Sequence, residues 1–319
     1  MPATAIAHPI QGLLKYHGLR DRDRNIPAHD SISVCTAPSR TTTTVAFDAR
    51  ADSVTVDGDP IDEEGFERAQ TVLDIVRERA GIDTGARVVS ENTFESNVGL
   101  GASASAFAAL AHAASAAAGL DPTERELSEL ARRGAASAAR SVVGGFAHLR
   151  SRNNSAECVG EPVPAGFEED IRIVIGSVPS HKYTSRAHAE TPASPYFPAR
   201  LAGIHERAAD LRAAIRAGDF DTTFGIAERD SLELLAVTMT GPGSWLYWNP
   251  GTLELLEIAR ELRESGVQVY FSADTGATAY LNTTAADVDA VRAAVEEAGI
   301  ETRTWRVGGG VRASDDHLF

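Results

Sequence analysis

"VGLGASASAFAALAHAASAAAG", residues 98–119, begins as a run of small residues and continues into an alanine-rich helix that ends near Gly119. The first amides of a helix have no internal partners and carry the positive end of its dipole. Gly99 and Gly101 let the backbone close around an anion, and Ser103 and Ser105 add hydroxyls, so the stretch reads as a phosphate cradle. A second reading is a tightly packed helix whose glycines admit a neighbour. Taken alone, the stretch leaves both open.

Outward from this helix the pattern is mixed. "HDSISVCTA" and "TTTTVAFDAR" read as strands, "SVTVDGDPI" carries an Asp-Gly hairpin signal, and residues 63–80 have helical spacing. "ARVVSEN" is a strand that leads into the small-residue loop. "DPTERELSELARRG" is a helix capped by Asp121 or Thr123 and stopped at Gly134. After the strands "GGFAHLRS" and "DIRIVIGSV" come helices near 194–217, 218–236 and 251–265. Strands "VQVYFSAD" and "TAYLNTT", a helix at 285–298 and a final strand "ETRTWRV" complete the chain. Strands and helices interleave irregularly, which predicts an α+β fold with two lobes and a ligand cleft between them.

Composition narrows the function classes. The 319 residues are 43% hydrophobic, enough for one large or two medium cores. No apolar run approaches the roughly 20 residues a membrane span needs, and the N-terminus lacks a signal-peptide layout, so the expected location is the cytoplasm. Cys35 and Cys158 read as free thiols. The net charge is −15, and Lys15 and Lys182 are the only lysines. Such a field repels nucleic acid and anionic membranes and suits a high-salt cytoplasm. Where lysine is avoided, a lysine that remains is a candidate for function.

Polar groups gather in places a core would not favour. Lys15 and Tyr16 follow an apolar strand. Ser137, Arg140 and Ser141 lie among small residues before a Gly-Gly pair, and an arginine so placed can meet a carboxylate or phosphate with two bonds, or form a structural ion pair. Lys182, Thr184, Ser185 and Arg186 follow another strand, and Asp274 stands where a strand ends and a Gly turn begins. His8, His17, His29 and His181 lack metal-ligand spacing, so no metal is assigned to protein side chains. A phosphate cradle, several cations and one carboxylate suit phosphoryl transfer to a small anion. No Walker-type or protein-kinase motif is present.

Six stretches, in order, resemble the GHMP small-molecule kinase superfamily and, within it, the mevalonate diphosphate decarboxylases. The family's "NIA-x-x-KYWGK-RD" is similar to "IQGLLKYHGLRD", and "NLP-x-x-x-S-[IL]-S" to "NIPAHDSIS". Its "S-x-N-N-F-P-T-A-A-G-L-A-S-S-A" resembles "SENTFESNVGLGASA", and "G-S-G-S-A-C-R-S-L-x-G-G-F" resembles "GAASAARSVVGGF". "S-S-R" and "T-F-D-A-G-P-N" are matched by "TSR" and "YFSADTGAT". The resemblance implies a two-domain GHMP kinase fold, with a ribosomal protein S5 domain 2-like N-terminal domain over 1–178 and a ferredoxin-like domain over 179–319. It implies ATP and Mg2+, with the magnesium riding mainly on phosphate oxygens, and a possible homodimer. Asp274 would contact the substrate 3-hydroxyl, Lys15 would stabilise negative charge and Arg140 would hold the carboxylate. Tyr16, Ser137, Ser185 and Arg186 would serve the substrate phosphate end. Asn92, Val98, Gly99, Leu100, Gly101, Ala102, Ser103, Ala104 and Ser105 would hold ATP.

The departures bear on the substrate. The second lysine of "KYWGK" is Leu19 here and the first serine of "GSGSA" is Ala135, so two contacts to the family's diphosphate are missing. Charged hydrogen bonds are each worth about 1.5–3 kcal/mol. The expectation is a substrate with one phosphate, mevalonate 5-phosphate, decarboxylated with ATP to isopentenyl phosphate, as in phosphomevalonate decarboxylases of haloarchaea. The rivals are mevalonate diphosphate decarboxylase and a mevalonate 3-kinase; Lys15, Arg140 and Asp274 together speak against a noncatalytic relative. The loop also carries Ala102 for its first serine and Glu95 for its proline.

Overall fold

The computed structural model describes residues 1–94, 100–179 and 188–319. The first half contains strands β1 (Ala3–Ala7), β2 (Ile10–Leu14), β3 (Leu19–Asp21), β4 (Ile26–Pro27), β5 (Ser31–Ala37) and β6 (Thr41–Ala49). These are followed by β7 (Ser53–Val56), β8 (Asp59–Pro60), helix α1 (Glu63–Ala80), β9 (Gly85–Asn92) and helices α2 (Ala102–Ala117), α3 (Glu124–Gly134) and α4 (Ala138–Val143). Strands β10 (Phe146–Leu149), β11 (Gly160–Pro162) and β12 (Ile171–Gly176) come next. The remainder holds α5 (Phe197–Ala217), α6 (Phe220–Met239), α7 (Pro250–Glu264), β13 (Val269–Ala273), β14 (Ala279–Thr284), α8 (Val288–Glu297), β15 (Thr302–Val307) and β16 (Arg312–Ser314).

Local chemistry sets the helix boundaries. Asp62 caps α1 by accepting from the Gly65 amide, and Thr123, rather than Asp121, caps α3 in a reciprocal capping box with Glu126. Alanine-rich α2 is buried nearly all round, by Ala104, Ala108, Ala111 and Ala114 among others. Its small side chains let it lie between a six-stranded sheet (β16-β1-β6-β9-β7-β8) and helices α1, α3 and α4.

A second sheet runs β11-β10-β5-β15-β12-β14-β13, with β2 joined to β5. In β12, Ile171, Ile173 and Ile175 face the core beneath α5 and α6, while Val174 faces the one beneath α7 and α8. The period-2 pleat therefore buries both faces, which is why "IRIVIG" is nearly all apolar. The two halves are stitched through this sheet: β15 pairs with β5, Val307 opposite Thr36. The chain then returns to the first sheet, where β16 pairs with β1, Ala313 opposite Ala5. So Thr302–Val307 is not the last strand; β16 has three residues, too few to show periodicity.

The 45 acidic residues against 30 Lys and Arg make the fold repel itself at low ionic strength. Screening relieves that repulsion. The melting temperature is expected to rise as KCl increases from about 0.1 M to 2 M, each 1–2 °C reporting roughly 1 kcal/mol for a chain of this size. Scanning fluorimetry checks it, and a flat or falling curve would remove the link between acidity and salt.

Candidate active site

The end of β2, the start of α2, helix α4, helix α6 and the turn after β13 converge on one cleft of about 100 Å³. Gly12 of β2 and Asp274 beyond β13 form its floor: the Gly12 amide donates to Asp274 Oδ1 at 3.1 Å. The buried Tyr280 hydroxyl donates to Asp274 Oδ2 at 3.4 Å. A Cβ on Gly12 would lie 2.7 Å from Lys15 Cγ and 2.8 Å from Asp274 Oδ1. The lysine stem and the carboxylate thus share the space that this glycine leaves open.

Lys15 is 5% exposed, and its ammonium donates to Ser231 Oγ at 2.9 Å and Ser272 Oγ at 3.2 Å. Asp230 Oδ2 lies 3.7 Å away. Burial pulls Lys15 below the ordinary lysine range, and the carboxylates of Asp230 and Asp274 oppose that pull.

Arg140 projects from α4 and is 3% exposed. Its Nε and Nη1 find no hydrogen-bond partner among the described residues. Burial lowers it to about 10, so it is still a cation at neutral pH. The guanidinium carbon sits 5.8 Å from the centre of the Tyr16 ring, and Tyr16 is hydrogen-bonded to Ser137. Buried donors without acceptors are costly, and an anionic ligand is the natural complement.

Opposite lies the start of α2. Gly101 takes a left-handed backbone (φ 71°), and a Cβ there would run into the Ile10 carbonyl. The first turn of α2 holds no acidic residue and no side-chain cap, which leaves its amides to an external anion. Gly101 and Ser103 line the cleft together with Lys15, Tyr16, Ser137, Arg140 and Asp274.

Other sequence-stretch candidates sit differently. Asn92 spends its amide on the sheet, accepting from Thr41 Oγ1 and donating to Asp57 Oδ2. The Ser105 hydroxyl is buried, bonded to Thr41 and the Ala102 carbonyl. Leu100 and Ala104 are buried among apolar neighbours, and Ala102 packs against the second core. Val98, Gly99, Ser185 and Arg186 lie outside the described residues, as does Lys182. Among the described residues no cluster of three or more His, Cys, Asp or Glu could hold a metal. Asp274 is the cleft's carboxylate, which fits a magnesium ion carried largely by nucleotide phosphates.

Sequence reading missed Gly12, Asp230, Arg200, Ser231, Ser272, Tyr280 and His188. Asp230 had a signal: it falls on the stripe of α6 that buries Ala227 and Leu234, where a carboxylate is out of place. His188 lines the cleft, stacked on Tyr16 at 5.3 Å and tilted against His17 at 4.1 Å.

Helices packed on two sheets give the chain an α+β GHMP kinase fold, the class that its structural relatives share. Residues 7–160 match the family described as Diphosphomevalonate decarboxylase-like N-terminal domain. The chain is 53% identical to phosphomevalonate decarboxylase of Haloferax volcanii over 99% of this chain and 98% of that protein. It is 30% identical to diphosphomevalonate decarboxylase mvd1 of Aspergillus fumigatus over 82% of this chain and 71% of that protein. Mevalonate diphosphate decarboxylase from Staphylococcus aureus superposes with a TM-score of 0.93 at 28% identity, covering 98% of both chains. A solved complex of MDDEF with MVAPP, AMPPCP and magnesium gives a TM-score of 0.93 at 26% identity over 99% of both. The chain belongs to the diphosphomevalonate decarboxylase-like family, whose members are lyases.

Proposed function

We propose that the protein uses ATP to decarboxylate mevalonate 5-phosphate to isopentenyl phosphate, releasing ADP, phosphate and carbon dioxide. The observation that carries this reading is the buried Arg140 guanidinium, whose Nε and Nη1 have no partner among the described residues, facing the same cleft as Asp274 and Lys15. A carboxylate on Arg140 places a small acid with its hydroxyl near Asp274. Asp274 takes the hydroxyl proton as the hydroxyl oxygen bonds to the terminal phosphorus of ATP and the bond from that phosphorus to ADP breaks. Lys15, beside it, offsets the negative charge that develops. The α2 amides and Ser103 hold the nucleotide phosphates. Magnesium, when bound with ATP, supplies further positive charge at the transferred phosphoryl group. The C3–O bond of the phosphorylated intermediate then breaks, and the electrons of the departing carboxylate's C–C bond form the new double bond.

Two positions favour one phosphate over two. Leu19 is on the short strand β3 opposite Pro27, and Ala135 is a buried alanine at the end of α3; neither offers a charge or hydroxyl to a second phosphate. The full-length similarity to the Haloferax enzyme supports the same choice. In a paired assay at high KCl with ATP and magnesium, mevalonate 5-phosphate is expected to give ADP and carbon dioxide together. Mevalonate 5-diphosphate should turn over at least about 10-fold more slowly, the factor expected from losing one charged hydrogen bond. Preference for the diphosphate would overturn the substrate assignment, and ADP without carbon dioxide would make the protein a kinase.

A further inference from the structure

Lys15 is held by something other than the substrate. Its backbone N–H donates to Asp230 Oδ2 at 2.9 Å, and its carbonyl accepts from Arg200 Nη2 at 2.7 Å. The same Arg200 nitrogen donates to Asp230 Oδ1 at 2.7 Å, so one ion pair grips both ends of the Lys15 residue. Asp230 is wholly buried and Arg200 is 3% exposed. Asp230 sits on α6, Arg200 on α5 and Lys15 just past β2, so the contact joins both halves of the chain. Ser231, the next residue of α6, adds its hydroxyl to the lysine ammonium.

Such a buried pair is a weak source of stability, because taking both charges out of water cancels much of their attraction. Specific placement is its better-supported use. Burial works to raise the Asp230 carboxyl, but Arg200 and Lys15 hold it below the ordinary carboxylate range. It is therefore an anion, beside an ammonium whose hold on its proton burial weakens and the Asp230 charge strengthens.

We propose that Asp230, anchored by Arg200, is the positioning residue that keeps Lys15 cationic and directed at the Asp274 end of the cleft. Asp230 touches no reacting atom; it acts through Lys15. Among the described residues, the charged groups facing Lys15 are Asp230 from α6, Arg200 from α5 and Asp274 beyond β13. The pair of hydroxyls on Ser231 and Ser272 solvates the ammonium but cannot hold its charge. The proposal rests on Lys15 serving the phosphoryl-transfer reading above, but its central measurement needs no substrate.

The lysine count makes that measurement simple. With lysine labelled by 15N at Nζ, only Lys15 and Lys182 give signals, and Lys182→Arg assigns them. In the unaltered protein Lys15 is expected to remain an ammonium at pH 7. In Asp230→Asn, which keeps an oxygen for the Lys15 amide, the Lys15 midpoint should fall. Turnover should drop by about 100-fold, the scale for losing one preorganised charge at a reacting centre. Michaelis constants for both substrates should stay within about 3-fold, because only the transition state loses the cation. The residual rate should recover toward acidic pH, where Lys15 is protonated again. Asp230→Glu restores the charge, so its pH profile should return to that of the unaltered protein even if its rate does not. An unmoved Lys15 midpoint in folded Asp230→Asn would overturn the proposal. So would a neutral Lys15 at pH 7 in the unaltered protein, a result that needs no variant to fold. If Lys15 titrates as expected while Lys15→Met leaves turnover intact, the charge relay stands and the reaction reading fails.

Discussion

Asp274→Asn is expected to lower turnover by about 10³-fold or more, within the range seen when a positioned general base is removed. That loss corresponds to about 4 kcal/mol of barrier. The carboxylate lies between two donors, the Gly12 amide on Oδ1 and the Tyr280 hydroxyl on Oδ2, in a cleft that also holds two cations. An amide in its place keeps one accepting oxygen and turns the other atom into a donor. It therefore cannot take a proton, and one of its two present neighbours must face an N–H. Neither cation loses a contact needed for substrate entry, so the Michaelis constant for ATP should change by only a few-fold. Circular dichroism and a thermal melt would show whether the fold is retained. Full turnover by a folded Asp274→Asn enzyme would remove Asp274 from the chemistry, and with it the assignment of the cleft's floor as the reacting end.

Legibility in the sequence followed the separation of the partners. Residues that act next to a strand end or a glycine turn were visible, because small residues or a strand break flanked them: Lys15, Ser137, Arg140 and Asp274 all stand out in this way, and all line one cleft. The cap of α3 was legible to within two candidates, Asp121 and Thr123, because its contact spans only three residues. The Arg200–Asp230–Lys15 clamp was not, since its members lie 215 and 30 residues apart and an Asp on an amphipathic helix ordinarily faces water. Whether Arg140 is matched by a carboxylate, or waits for one, depends on what packs around it and not on its neighbours in the chain. Ser105 illustrates the opposite case. Its spacing in the small-residue loop suggested a ligand hydroxyl, but two residues beyond Ser103 the helix has turned that side chain inward to Thr41.

Gly12→Ala carries the second large effect, and it isolates geometry from charge. Nothing in the backbone asks for glycine there: Gly12 is absent from the residues with positive φ, and it lies within a strand, where alanine costs less conformational entropy. Only space demands it. The added methyl carbon would stand 2.7 Å from Lys15 Cγ and 2.8 Å from Asp274 Oδ1, both inside any real carbon contact. One of the two must retreat, and the Gly12 amide bond to Asp274 is then lengthened or lost. Overpacking of this kind costs about 1–3 kcal/mol, partly offset by the gain of about 0.4–1 kcal/mol from a stiffer unfolded chain. The protein should therefore fold with a modestly lower melting temperature. Turnover should suffer far more, by about 100-fold, because a displacement near 1 Å at reacting groups has that scale. Gly166→Ala is the matched control, since a Cβ there meets nothing within 4 Å and its backbone is not in the left-handed region. If Gly12→Ala turned over at the rate of Gly166→Ala, the lysine and the carboxylate would not need to share that space, and the cleft's chemistry would have to be built without their close approach.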